Sequence, residues 1–319
     1  MSTRTDRRLQ AGSALPIFAR VMNIDTLDSL QGFTLPVRNA RGRFARLGPT
    51  LDLILSAHAY PPAIEAVLAE ALVLAVLLGS TLKAEDGQLT MQAQTKGGAV
   101  DLLVCDWRGG DLRGYVNYDA DKLAEAGPEP TLFALFGQGY LAVTFDVGST
   151  GQRYQGIVPL EGETLSDAAR SYFAQSEQLP SLFRVAIRRT DIGMVAGGLM
   201  LQHLPEGEEG RERLHTRLDH PEWEHILALA RTVTDAELTD EALPADELLW
   251  RLFHEEEVRL FSDGEVRRGC RCDPDYLASV LARFPADEVA EMADDDGVIR
   301  VDCAFCARVF PLDADRLAA

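Results

Sequence analysis

The chain has 319 residues, 46% of them hydrophobic and 25% charged, and carries a net charge of −19 at pH 7. That length leaves room for a real core, and the composition is that of an ordinary globular protein. The acidic balance opposes the basic footprint of a nucleic-acid or anionic-membrane binder, so no nucleic acid and no membrane is expected as a partner.

Residues 1–15 carry charged and small polar groups without periodicity and read as a flexible leader. They lack the pattern of a signal peptide, which points to the cytoplasm. From Phe33 the text is globular. FTLPVRNARGRFARLG predicts a strand and a turn, and the next stretch predicts two helices broken at Pro61-Pro62. The second is very apolar, but Glu70, Gly79 and Lys83 mark it as a buried core helix and not a bilayer span. Strand signals recur between Gln88 and Val158, with a hairpin across residues 148–151. A helix over SDAARSYFAQSE and two further strands follow. Strands in runs, flanked by helices, predict an α+β fold with a mixed α/β-sheet domain over residues 16–205.

Beyond Pro205 the text becomes strongly charged, with apolar residues at helical spacing. Trp223, Ile226, Leu227 and Ala230 form one stripe, and Leu248, Leu249, Leu252 and Phe253 another. Thr234-x-x-Glu237 is a capping-box signature. Residues 206–264 therefore read as a docked linker of short helices, each unstable unless its stripe packs on something else. The tail module that follows is one candidate for that surface. Ser262-Asp263-Gly264 predicts a hairpin delivering the first cysteines, and Asp273-Pro274 predicts the start of a helix.

Residues 265–319 carry the chemistry. Cys270 and Cys272 form a Cys-x-Cys pair; Cys303 and Cys306 form a Cys-x-x-Cys pair thirty residues later. Two close pairs across a loop suit a tetrahedral Zn2+ site, in which four sulfurs converge on one ion at about 2.3 Å. Arg267, Arg268, Arg271, Arg300 and Arg308 lie around the thiols and are expected either to favour thiolate or to form a solvated basic face. The module is too small for a self-sufficient core, so about 10–16 kcal/mol of apparent zinc binding would supply most of its folding free energy. Each close pair can also oxidise within itself, which would remove ligands, release the metal and unfold the module. A knuckle that only holds the tail together is the plainer alternative.

No enzyme site stands out. Cys105 reads as a small buried hydrophobe, and His58, His203, His215, His220, His225 and His254 lack metal spacing. Glu255–Glu257 and Asp294–Asp296 read as solvated faces or caps, and the glycine pairs at 97–98 and 197–198 lack the setting of a phosphate cradle. A thiol–disulfide oxidoreductase using Cys303 and Cys306 is the rival reading, disfavoured by the absence of a strand–helix setting.

The cysteine pattern, with GQRYQGIVPLEGETL, YFAQSEQLPS, AGGLMLQHLPEG and LLWRLFHEEEVRLF in that order, resembles the heat shock protein 33 family of redox-regulated chaperones. The resemblance runs from about Phe33 to Phe310. It implies a chaperone and dimerisation domain, a metastable linker and a C-terminal redox switch. It also implies an ATP-independent holdase for unfolding client proteins, inactive when reduced and zinc-bound. By position the zinc ligands and redox-active residues are Cys270, Cys272, Cys303 and Cys306. The resemblance implies disulfides Cys270–Cys272 and Cys303–Cys306 after exposure to peroxide with heat or to hypochlorous acid, together with homodimerisation. The leader and the stretch around GEEGRERLHTRLDHPEWEH depart from it.

Overall fold

A computed structural model describes residues 7–8, 27–82, 86–148, 151–191, 193–204 and 221–317. Elements run in the order β1 (Arg7–Arg8), β2 (Ser29–Leu35), β3 (Ala40–Leu47), α1 (Pro49–Leu55), α2 (Pro62–Gly79), β4 (Gln88–Lys96), β5 (Val100–Arg108) and β6 (Asp111–Tyr118). Then come α3 (Ala120–Ala126), α4 (Leu132–Phe136), β7 (Gln138–Asp146), β8 (Arg153–Pro159), α5 (Leu165–Tyr172), β9 (Ser181–Thr190) and β10 (Gly193–His203). The remainder comprises α6 (Pro221–Ala230), α7 (Asp235–Leu238), α8 (Ala245–Phe253), β11 (Arg259–Glu265), β12 (Arg267–Arg268), α9 (Pro274–Leu281), α10 (Ala286–Met292), β13 (Val298–Asp302), β14 (Val309–Asp313) and α11 (Ala314–Leu317). The fold is α+β, as the grouped strand signals predict.

Two six-stranded sheets enclose α2. The first has the order β1-β11-β2-β3-β10-β9 and the second β12-β6-β5-β4-β7-β8; β13 and β14 form a separate ribbon. By length and composition α2 could cross a membrane, yet here it is the core helix, with most of its surface buried. Its neighbours come so close that a Cβ on Gly114 or Gly198 would press on Leu72 or Val73. Cys105 is fully buried in this core, as expected of a small hydrophobe, and burial pushes its thiol well above the ordinary value.

The first sheet is covered on its other face by the linker. Trp223, Ile226, Leu227, Leu238, Leu248, Leu249 and Phe253 are buried against Phe33, Phe44, Leu199 and Leu201 of the sheet. The apolar stripes therefore pack on this sheet and not on the tail module. Alternation explains why: Phe33 and Leu35 on β2, and Leu199 and Leu201 on β10, point to the face opposite α2 and need a cover. Buried side chains of this size are worth roughly 1.5–3 kcal/mol each, enough to order helices of 9 or 10 residues that would not persist alone.

Polar anchors fix the register of that cover. The capping box of Thr234 and Glu237 forms as read. The Arg46 side chain is fully buried and donates to the carbonyls of Leu238 at 2.9 Å, Leu243 at 2.7 Å and Glu237 at 3.1 Å. Burial lowers its pKa to about 10, so it remains charged at neutral pH. Gly197 lets α7 approach, because a Cβ there would lie 2.0 Å from the Leu238 carbonyl oxygen.

Glu256 is not part of a solvated acidic face. Its side chain is only 5% exposed on a half-buried residue and accepts from Arg38 Nε and a terminal guanidinium nitrogen, both at 3.0 Å, while His225 Nε2 lies 3.0 Å from it. Burial would raise this carboxyl, but Arg38 and His225 outweigh it and hold the group below its ordinary range.

Two other expectations change. The Ser262–Gly264 signal is a bulge inside β11, which stays paired with β2, and not a hairpin turn. The chain then leaves for the other sheet as β12, parallel to β6. The short helices α3, α4 and α10 carry too little periodicity to be read beforehand, although Asp119 and Thr131 cap the first two. His215, His220 and most of the leader lie outside the described residues; Arg7 and Arg8 pair with β11 at the sheet edge.

Replacing Gly197 with Ala should dislodge α7 at a cost of about 1–3 kcal/mol. Limited proteolysis of the reduced protein should then cut within 231–243 and hydrophobic-dye fluorescence should rise; unchanged patterns would contradict this packing. Because the Glu256 pKa is depressed on folding, its contribution is present above its unfolded value of about 4.3 and lost as pH falls through the folded value. Glu256→Gln should weaken linker protection at neutral pH and flatten its loss below about pH 4.3, read by protease sensitivity against pH.

Candidate metal centre

The two arms bearing the cysteines reach one point by different routes. The first is an edge strand: Arg267 N–H donates to the Gly110 carbonyl and Gly269 N–H to that of Leu112, both at 2.9 Å. This addition to β6 sets Cys270 and Cys272 at the rim of the second sheet. The second arm is the bend between β13 and β14. Its turn is closed by bonds from the amides of Cys303 to Arg308 O at 3.0 Å and Ala307 to Cys303 O at 2.8 Å, with Ala307 at φ 53°.

The four sulfurs converge. All lie within 4.8 Å of one another. The shorter separations are Cys270–Cys272 2.8 Å, Cys272–Cys303 3.2 Å, Cys272–Cys306 3.3 Å and Cys270–Cys303 3.6 Å. Four sulfurs around one zinc ion would be about 3.8 Å apart, given bonds of about 2.3 Å. Free thiols at these distances fit a tetrathiolate site with small outward shifts. The donor set fits the ion: four half-buried cysteines offer soft sulfur, the ligand type zinc takes in closed tetrahedral sites.

Without a cation the cluster cannot ionise fully. Burial opposes ionisation of Cys303, but the Cys272 thiol and the amides of Cys306 and Phe305 bring it down to about 7. Burial and the neighbouring sulfurs push Cys272 up, and burial pushes Cys270 up. Ionisation is favoured at Cys303 and resisted at Cys270 and Cys272. A divalent cation is what would let the rest follow.

Four of the five arginines near the thiols make other contacts. Arg267 pairs with Asp111 at 2.7 Å, Arg300 with Asp294, and the Arg308 guanidinium lies 6.0 Å from the Phe310 ring centre. Arg271 reaches Gln88 Oε1 at 2.7 Å and Asp106 at 3.3 Å.

Asp106 is the element the sequence does not disclose. It is buried and also accepts from Arg113 at 2.6 Å and from Thr90 at 2.8 Å. The Arg113 guanidinium in turn lies 3.9 Å from the ring centre of Phe305, and Tyr115 meets Phe305 edge-on at 4.9 Å. Arg271 sits between Cys270 and Cys272, and Phe305 between Cys303 and Cys306. Each cysteine pair thus brackets one residue that docks on the same buried carboxylate and its arginine. His58 stacks on Tyr60, and burial lowers its pKa against the opposing pull of the Ala304 and Phe305 backbone. A lone Asp in a strand gives no signal of such a role.

Behind the knuckle there is little core. The buried apolar side chains described in 270–317 are Val289, Ile299, Phe310 and Ala314, and Phe310 does not join the other three. Cys303 and Cys306 stand on a turn between strands, not at a helix N-terminus.

Comparisons with known proteins show the family. The family model described as Hsp33 protein matches residues 28–313. Among curated relatives, a 33 kDa chaperonin of Caulobacter vibrioides (strain NA1000 / CB15N) is 40% identical over 297 residues, covering 91% of this chain and 95% of that one. A 33 kDa chaperonin of Yersinia pestis (strain Pestoides F) is 35% identical over 291 residues, covering 91% and 94%. The crystal structure of a 33 kDa chaperonin (heat shock protein 33 homologue) from Thermotoga maritima superposes with a TM-score of 0.74 at 23% identity, covering 91% of this chain and 96% of that one, which shows the fold. These findings define a chaperone class of protein. The chain belongs to the Hsp33 family.

Phe305→Ala should leave the four thiols and one metal per chain in place while freeing the knuckle from the second sheet. Proteolysis of the reduced protein at 271–317 should accelerate with unchanged zinc content; simultaneous loss of zinc would show that docking and ligation are not separable. Cys303→Ser should lower zinc affinity at least tenfold in a competitive chelator titration and expose the tail; an unchanged affinity would remove Cys303 from the ligand set.

Proposed function

We propose that the chain is an ATP-independent holdase, not an enzyme, whose Cys270, Cys272, Cys303 and Cys306 act both as zinc ligands and as a redox switch. One observation carries this reading: four thiols meet within 4.8 Å in a segment with almost no core of its own. Zinc, when bound, would hold the four sulfurs as thiolates and supply the folding free energy the segment lacks.

Oxidation would act through the chain's own sulfurs. For each disulfide two thiols lose their protons and two electrons to one hydrogen peroxide molecule, which leaves as two waters. We propose the pairs Cys270–Cys272 and Cys303–Cys306. The first is supported by a 2.8 Å approach, but Cys272 is also near Cys303 and Cys306, so proximity alone does not select the second. Once paired, the sulfurs are lost as thiolate ligands.

The route from switch to client surface is short. Val266 is buried in the main core, its N–H donates to Asp28 O at 2.8 Å and its carbonyl accepts from Thr50 at 3.3 Å. Upstream, Leu260 and Val258 belong to the cluster under the linker helices. Loss of order at Cys270 thus lies only a few residues from the base of the linker. In this reading the chain works as a leader (1–15), a client-binding and dimerising body (16–205), a metastable linker (206–264) and a switch (265–319). The linker's release uncovers the first sheet, which then holds unfolding proteins in a cytoplasmic setting as a homodimer.

The test is light scattering from a thermally unfolding client with reduced and peroxide-treated protein, with released zinc measured in parallel. Protection should appear only after oxidation, at near-stoichiometric chaperone, with about one zinc released per chain. Equal protection in both states would remove the switch, and turnover of a disulfide substrate at substoichiometric protein would make the chain an oxidoreductase.

A further inference from the structure

The sheet face beneath the linker is cationic as well as apolar. Alternation along β3, β9 and β10 sends one set of side chains toward the linker. It includes Phe44, Leu199 and Leu201, buried in that contact, together with Arg46, Arg184 and Arg188. The positions of that set on these three strands hold no Asp or Glu.

The linker answers each arginine. Arg184 donates to Asp235 at 3.1 Å, and Arg188 donates to Thr239 O at 2.7 Å and to Glu241 at 3.2 Å. Arg46 takes the three carbonyls at the end of α7 and beyond it. Residues 221–257 contain eleven Asp or Glu against two Arg. The resident occupant of this face is therefore an acidic amphipathic segment, with apolar residues at helical spacing and carboxylates beside them.

We infer that the face, once the linker leaves, prefers segments of that chemistry in its partners: apolar stretches flanked by carboxylates in an unfolding protein. The inference rests on the holdase reading above and specifies its client. The apolar positions accept any hydrophobic segment. The guanidiniums of Arg184 and Arg188 do not, because they keep part of their surface in water under the linker and a neutral or basic stretch forfeits their ion pairs with Asp235 and Glu241. An acidic stretch restores the pairs that Asp235 and Glu241 made. The preference is local and opposes the overall charge of −19, which by itself would favour basic clients.

The experiment uses the full-length, peroxide-treated protein and three fluorescent peptides, read by anisotropy. One copies residues 221–253; the other two replace its Asp and Glu with Gln or with Lys and keep every apolar residue. The acidic peptide should bind on the order of tenfold more tightly than the Gln form, and the Lys form most weakly. The ranking should shrink in about 0.5 M salt, where screening extends over only a few ångströms. It should also shrink in the double variant Arg184→Ser/Arg188→Ser, whose side chains are partly exposed. Equal affinities, or a preference for the Lys form, would overturn the inference. A parallel light-scattering arm with a thermally unfolding client separates the two readings. Protection without the charge ranking defeats this inference alone, whereas no protection in any redox state defeats the holdase reading.

Discussion

The structure turns on four sulfurs crowded into a space that neutral thiols do not need and thiolates cannot share. A segment whose buried apolar side chains are few has little hydrophobic means of fixing two distant arms at one point. Hydrophobic burial governs everything before it: α2 between the sheets, and the linker stripes over the first sheet. From Cys270 onward the balance changes. There, on the reading proposed above, the free energy of order would come from metal ligation together with docking on Asp106.

That docking gives the tail a role beyond its own fold. Arg271 and Phe305 lie between the paired cysteines and meet on the Asp106–Arg113 pair, so the positions of the sulfurs and the seating of the tail are linked. The linker depends on a separate set of contacts. Its apolar residues cover the first sheet, and Arg46, Gly197 and Glu256 hold it in register. The strap from β11 through Val266 to β12 joins the two. A tail and a cover held by distinct interactions, connected by a few residues, can be stable separately and lost in sequence.

Much of this could be read from the residues. The Cys-x-Cys and Cys-x-x-Cys spacing located the cluster because sulfur has few reasons to recur at such intervals. Thr234 and Glu237 announced a capping box, and Asp273-Pro274 a helix start, since both depend on neighbours in sequence. What could not be read depends on residues far apart in the chain. Asp106 looks like any strand carboxylate until Arg113 and Arg271 arrive from either side. Gly197 shows its purpose only when the Leu238 carbonyl is above it. The Ser262–Gly264 turn signal yielded to pairing with β2, and the linker stripes found the first sheet instead of the tail. In the first case a tertiary surface overrode a local cue.

The measurement closest to the central claim is hydrogen exchange, followed by mass spectrometry, on the reduced protein before and after its metal is removed. The account predicts that amides of 271–317 lose protection first, those of 221–258 follow, and β3, β9 and β10 keep theirs. A stripped protein in which both the tail and the linker exchange as slowly as before would contradict it.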